Sequence, residues 1–325
     1  MIGIQLGLGD VSRIRFARSP LQETLSSLQL LGDPDRERRR VHRPWLEVAE
    51  PLAAGLGLRL LPALVGGRHY VADFLTPPPE RLDVAFGDEV ERVRASSDAD
   101  VRTAVTELFD GGPIDLRLAA LMDAPAKELG RLAGELTAYW RAVVEPVWPR
   151  LRALLDADLG HRAQALTGGG VAGLLKDLHP KIDYAGELLR VDAAGWDCRH
   201  MLRGTGVLLV PCAFAWPKLV ILTNEPYQPM LTYGPRGIAT LWDAGGRKET
   251  RALGELLGHS RAGLLARLDL PMTTTQLAAG MGLTPATVSE HLAVLRRTRL
   301  VTSRRSGRVV LYQRTALAAE LLGAT

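Results

Sequence analysis

Thr284-Pro285-Ala286-Thr287-Val288-Ser289-Glu290-His291-Leu292-Ala293-Val294-Leu295-Arg296-Arg297-Thr298-Arg299-Leu300-Val301 is the most informative stretch of the chain. Threonine followed by proline opens a helix: the hydroxyl caps a free amide, and proline fits the first turn at no loss. Val288, Leu292 and Leu295 then fall at i, i+4 and i+7, an apolar stripe that must face inward. The opposite side presents Ala286, Thr287, Ser289, Glu290 and Arg297. Just upstream, Thr273-Thr274-Thr275-Gln276 has the capping-box pattern and opens a short helix through Leu277, Ala278 and Met281. Gly280 and Gly282 end that helix and permit a sharp turn. Two short helices on a tight glycine turn, the second with a small polar leading face, make a helix-turn-helix layout.

Downstream, Leu300–Arg305 and Arg308–Gln313 are β-rich runs joined by Ser306-Gly307, which predicts a hairpin. Its tip carries Arg304, Arg305 and Arg308. Arginine there can contact phosphates or enter a narrow minor groove, which is what a DNA-binding wing requires. The charge distribution agrees. The whole chain has 40 basic and 36 acidic residues. From Arg251 to Thr325 there are ten arginines and four acids, a local net charge of +6 on an otherwise near-neutral body. A small basic module on such a body implies a polyanionic partner for that module alone.

Together, Gly258-His259-Ser260-Arg261-Ala262, Thr274–Gly282, the Thr284–Val301 stretch and Ser306-Gly307-Arg308 resemble the winged helix-turn-helix of ArsR-type transcriptional regulators. The run from Arg13 to Leu31, with His42, Pro44 and Trp45, also resembles a poorly characterised domain found ahead of such modules. The resemblance implies a homodimer that sets two recognition helices in successive major grooves of a pseudo-palindromic double-stranded DNA operator. It places Thr287, Ser289 and His291 at or near the DNA, with Glu290 beside them; the polar face of the helix adds Thr284, Ala286 and Arg297 as candidate DNA-binding residues, and the hairpin tip adds Arg304, Arg305 and Arg308. Glu290 departs from the basic or amide residue common there. It either accepts from a cytosine amino group or pairs with a neighbouring arginine.

The remaining chain is less specific. Its 325 residues predict two domains, drawn at 1–246 for sensing or dimerisation and 247–325 for DNA binding, with Gly245-Gly246-Arg247-Lys248 as linker. With 46% hydrophobic residues the chain has ample core material, and two cysteines exclude a disulfide scaffold. The longest apolar stretch, Gly206 to Leu222, is cut by Pro211, Pro217 and Lys218 and makes a poor membrane span. No secretory pattern opens the chain, so a cytoplasmic protein is expected. Ile2–Phe16 reads as extended, a helix starts at Ser19-Pro20, and the charged run Asp35–Arg40 reads as a solvated loop or helix end. Leu116–Leu121, Glu128–Val144 and Val147–Leu159 read as amphipathic helices, and Leu188–Val191, Gly206–Pro211 and Lys218–Thr223 as a small antiparallel sheet. The fold class is therefore α+β and mainly helical: a large N-terminal helical domain with a small sheet, followed by a C-terminal winged helix-turn-helix.

Other chemistry is weaker. The first helix of the helix-turn-helix carries no Cys, His or acid, and Leu317–Leu322 offers only Glu320, so no metal site is expected there. Cys198 and His200 would share one face of a strand, a two-ligand start, or simply be a half-buried cysteine and a polar strand residue. Cys212 reads as core. Gly168-Gly169-Gly170 lacks the ending of a P-loop and reads as a loop entering a helix. Trp140, Trp148, Trp196 and Trp216 either fill cores or line a pocket for a small apolar effector. No catalytic residue, cofactor or metal is assigned. The expected function is a dimeric repressor released by such an effector; the alternative is an enzyme tethered to DNA by its winged helix.

Overall fold

A computed structural model of the chain describes residues 1–65, 71–109, 112–192, 198–202, 204–224, 227–242, 249–268, 271–281, 283–306 and 309–322. The chain divides into two compact units: Met1–Trp148 with Arg162–Ile238, and Pro149–His161 with Ala239–Thr325. The expected linker at 245–248, Trp196, Gly282, Gly307 and Arg308 lie outside the described residues.

In the first unit, the helices are α1 (Leu8–Val11), α2 (Pro20–Leu31), α3 (Arg36–Val41), α4 (Arg43–Gly55), α5 (Leu60–Val65), α6 (Phe86–Arg94), α7 (Asp98–Leu108), α8 (Ala119–Asp123) and α9 (Pro125–Tyr139). Helix α10 (Trp148–Lys176) gives residues 149–161 to the second unit and 162–176 to the first. Ser19 caps α2 as its sequence predicts, accepting from the Gln22 amide at 2.9 Å. Strands β1 (Ile2–Gln5), β3 (Ile182–Ala185), β4 (Leu188–Val191) and β5 (Cys198–Met201) form one sheet in the order β3-β4-β1-β5. Strands β2 (Arg15–Phe16), β6 (Leu208–Pro211), β7 (Val220–Leu222) and β8 (Met230–Tyr233) form another, in the order β2-β6-β8-β7. Ile4, Leu6, Leu174, Leu175, Leu189, Leu209, Leu231 and Tyr233 share one core.

The protein is α+β and mainly helical, and all three expected β-runs are strands. Their pairing differs from a simple antiparallel sheet. Leu188–Val191 lies in a different sheet from the other two runs, and each sheet contains parallel pairs: β1 with β5, and β6 with β2 and β8. Two further expectations are corrected. The charged run 35–40 is not wholly solvated: it enters α3, where Arg38 is fully buried and its two terminal guanidinium nitrogens donate to Asp33 and to the Ser26 and Phe214 carbonyls. Gly168–Gly170 is not a loop. The three glycines lie within α10, and the helical path breaks at Gly170, whose φ of 60° suits a residue without a Cβ.

In the second unit, α11 (Glu249–Leu257), α12 (His259–Arg267), α13 (Thr274–Met281), α14 (Pro285–Arg297) and α15 (Ala316–Leu321) accompany β9 (Met272–Thr273), β10 (Val301–Ser306) and β11 (Val309–Arg314). The strands make an antiparallel sheet in the order β10-β11-β9. Leu264, Leu265, Leu277, Val288, Leu292, Leu295 and Leu300 form the core between them. Among the described residues, no helix is long and apolar enough to cross a membrane.

Candidate nucleic-acid interface

Helix α14 is held by its apolar stripe. Val288, Leu292 and Leu295 are buried against α12 and α13, which leaves the other side of the helix for a partner. Thr284 caps its start: Oγ1 accepts from the Thr287 amide at 3.2 Å and lies 2.9 Å from the Thr287 hydroxyl. Thr284, Ala286, Ser289, Glu290 and Arg297 are exposed, and Thr287 and His291 are half-buried. The first turn thus presents small side chains, a surface that lets a phosphate or base edge approach closely.

Helix α13 begins with a reciprocal cap. The Thr273 amide donates to Gln276 Oε1 at 2.8 Å, and the Gln276 amide donates to Thr273 Oγ1 at 3.2 Å. At its far end the Leu283 amide donates to the Ala278 carbonyl at 3.1 Å, closing the helix before α14 begins.

Strands β10 and β11 pair over six residues each, from Val301 opposite Arg314 to Ser306 opposite Val309, so the expected hairpin is formed. Arg304 and Arg305 are exposed on β10. Strand β9, directly before α13, pairs Thr273 with Leu311 and Met272 with Tyr312, and so joins the hairpin to the first helix of the pair. Arg296, in the last turn of α14, reaches Ser303 on β10 at 3.4 Å. Helix α14 and the hairpin therefore belong to one framework. Arg308, expected at the hairpin tip, lies outside the described residues.

The tryptophans divide. Helix α9 continues as a wide π turn over Trp140–Val144, and Trp140 stacks on Phe86, with ring centroids 4.6 Å apart. Trp148 meets Trp140 edge-on at 5.6 Å. Trp216 has a different neighbour: a Cβ at Gly234 would come within 2.7 Å of its ring. Trp196 lies outside the described residues. Trp45, a fifth tryptophan, packs on Phe214 at 4.4 Å and donates to the Val143 carbonyl.

Several titratable groups of the first unit are buried. Glu23 is fully buried and accepts from the Ala213 and Phe214 amides at 2.6 and 3.0 Å and from the Cys212 thiol at 3.2 Å. Burial outweighs those bonds and pushes its carboxyl up to about 7. Burial, and then the nearby Glu23 charge, raise the Cys212 thiol too. Glu89 accepts from the Ser19 hydroxyl and the Leu21 amide at the start of α2, and burial again raises it to about 7. Burial also acts to raise Asp33, but Lys218 at 2.6 Å, the Asp35 amide and Arg38 pull it down to about 2. Burial and the Arg38 charge depress His42 to about 3, so its ring is neutral. Cys198 and His200 share a face of β5, with the sulfur 3.4 Å from Nε2. Among the described residues no group of three or more metal-ligating side chains converges.

Two family models match separate parts of the chain. Residues 87–237 match the model of a family of unknown function (DUF5937), and residues 250–320 match that of a Crp-like helix-turn-helix domain. No curated protein and no solved structure matches the chain. The paired helices, the hairpin and the family match coincide over the same residues, and the C-terminal part of the chain is similar to the Crp-like helix-turn-helix of DNA-binding transcription regulators.

Proposed function

We propose that the protein is a sequence-specific transcriptional repressor of the ArsR type that binds a pseudo-palindromic operator as a homodimer. In this reading residues 247–325 form the DNA-binding domain, and residues 1–246 serve sensing or dimerisation. Helix α14 enters the major groove, where Thr284, Ala286, Thr287, Ser289, Glu290 and His291 meet base edges or flanking phosphates. Arg297, Arg304, Arg305 and Arg308 neutralise the backbone on either side. The observation that carries the reading is the exposed leading face of α14, tied through Arg296 and Ser303 to an arginine-bearing hairpin. With three of these four arginines on phosphates in each protomer, the dimer has a log–log salt slope of about −5.

Selection of duplexes by the full-length chain from a random pool tests this. The expected product has two half-sites related by a dyad, with centres about 34 Å apart or a multiple of that. A pool that shows no enrichment would overturn the reading.

For release, the aromatic group Phe86, Trp140 and Trp148 supports an apolar effector bound in the first unit. An effector that prefers the non-binding conformer a hundredfold supplies about 2.7 kcal/mol. An apolar compound that quenches tryptophan fluorescence and weakens DNA binding in parallel is the expected finding. Compounds that quench with no effect on DNA binding would count against release.

A further inference from the structure

The second unit contains one segment from far back in the sequence, residues 149–161 of α10. Two contacts tie it to the C-terminal residues. The Arg150 guanidinium lies over the Trp242 ring, 5.8 Å from its centroid. Gln276 Nε2 donates to Asp156 Oδ2 at 3.1 Å. The second contact falls on the residue that completes the cap of α13. Gln276 has one amide oxygen and one amide nitrogen, and the oxygen is committed to the Thr273 amide. That fixes the orientation of the group, because a flipped amide would set two donors face to face. The NH2 must then point away from the cap, and Asp156 receives it.

We propose that Asp156 is a positioning residue for DNA reading: by holding the capping Gln276, it lets α10 set the placement of α13 and, through α13, of α14. The proposal rests on the reading of α14 as the DNA-contacting helix. Beyond Gly170, α10 packs Leu174 and Leu175 into the sheet core of the first unit. Residues 149–161 of α10 thus belong with the helix-turn-helix, and its residues 162–176 with the first unit.

Three full-length variants test this. Gln276→Glu keeps an acceptor for the Thr273 amide, and a carboxylate suits a helix start, so the cap survives. It removes the donor to Asp156 and sets two carboxylates together. Asp156→Asn keeps an oxygen acceptor for Gln276. The double variant Asp156→Asn/Gln276→Glu restores one donor and one acceptor in reversed order, with the net charge of the wild type. On the duplex enriched by the wild type, Gln276→Glu is expected to bind about tenfold more weakly, a loss of about 1.4 kcal/mol. Its salt slope and its affinity for unrelated DNA should be unchanged, and Asp156→Asn and the double variant should each bind within about threefold of the wild type. A purely structural role would move the melting temperature and leave affinity alone; a purely electrostatic one would change the salt slope. Wild-type affinity in Gln276→Glu, a changed slope, or no recovery in the double variant would each overturn the proposal.

If the wild type enriches no duplex, the DNA reading fails, yet the contact is still tested by amide exchange over residues 274–281. Faster exchange in Gln276→Glu that returns to wild type in the double variant supports positioning by Asp156. Equal exchange in all the proteins refutes it.

Discussion

The Leu300 amide donates to the Leu295 carbonyl at 2.9 Å, closing the end of α14 across Arg299, whose φ is 58°. The Arg299 amide reaches the Arg296 carbonyl at 3.1 Å, so both bonds of a Schellman ending are present, with the Leu300 and Leu295 side chains buried in the same core. Glycine usually occupies the left-handed position because it has no Cβ to clash. Arg299→Gly is therefore expected to raise the stability of this unit by about 1 kcal/mol in chemical denaturation. A loss of stability would show that the arginine side chain contributes more than its backbone costs.

Thr284 and Ser289 lie little more than one turn apart at the start of α14 and should behave differently. Thr284→Ala removes the cap and is expected to cost about 1 kcal/mol of stability. Ser289 is exposed, so Ser289→Ala should leave the melting temperature unchanged and relax discrimination among operator variants by on the order of 1 kcal/mol. Equal effects of the two substitutions on stability would contradict this division of roles.

Glu23 and Glu89 carry a pH dependence of defined sign. Both carboxyls are raised to about 7 in the fold from an ordinary 4.5, so between those values the folded state holds more protons than the unfolded one. The stability these groups confer is complete below pH 4.5 and is lost as pH rises through 7. Each contributes up to about 3 kcal/mol to that fall. Stability measured from pH 4.5 to 8 should therefore decline less steeply in Glu23→Gln than in the wild type. An identical decline would place the titration elsewhere. His42 acts oppositely: its pKa is depressed to about 3 in the fold, so its stabilising share is present above pH 6.5 and lost as pH falls below that.

The two cysteines should separate under alkylation. Cys212 is fully buried with a raised thiol, whereas Cys198 is half-buried on β5. Iodoacetamide applied to the native full-length chain should label Cys198 alone, and peptide mass mapping reads the result. Labelling of Cys212 at a comparable rate would mean that the core around Glu23 opens readily.

The C-terminal unit is legible in the sequence because its signals are local. A cap, a first-turn proline and an apolar stripe sit within a dozen residues of one another, and each names an element by itself. The first unit is less so because its decisive pairings are remote. Ile2–Gln5 pairs in parallel with Cys198–Met201, and no local pattern announces a partner so far along the chain. Arg38 looks like one of several solvated arginines until the carbonyls of Ser26 and Phe214 converge on it. Asp156 likewise reads as an ordinary polar position on an amphipathic helix, and only the fold brings Gln276 to it. Trp140 and Trp148 are visible as residues, but the stacking of Trp140 on Phe86 depends on the π turn after α9.

The most direct measurement is the salt dependence of duplex binding by the full-length chain, set beside the variant Arg304→Ala/Arg305→Ala/Arg308→Ala. The wild type should give a log–log slope of about −5. The variant should bind every duplex more weakly, with a slope shallower by about 0.9 for each phosphate that the arginines no longer neutralise. Equal affinity and equal slope in the two proteins would contradict the assignment of the hairpin and α14 as the DNA-binding surface.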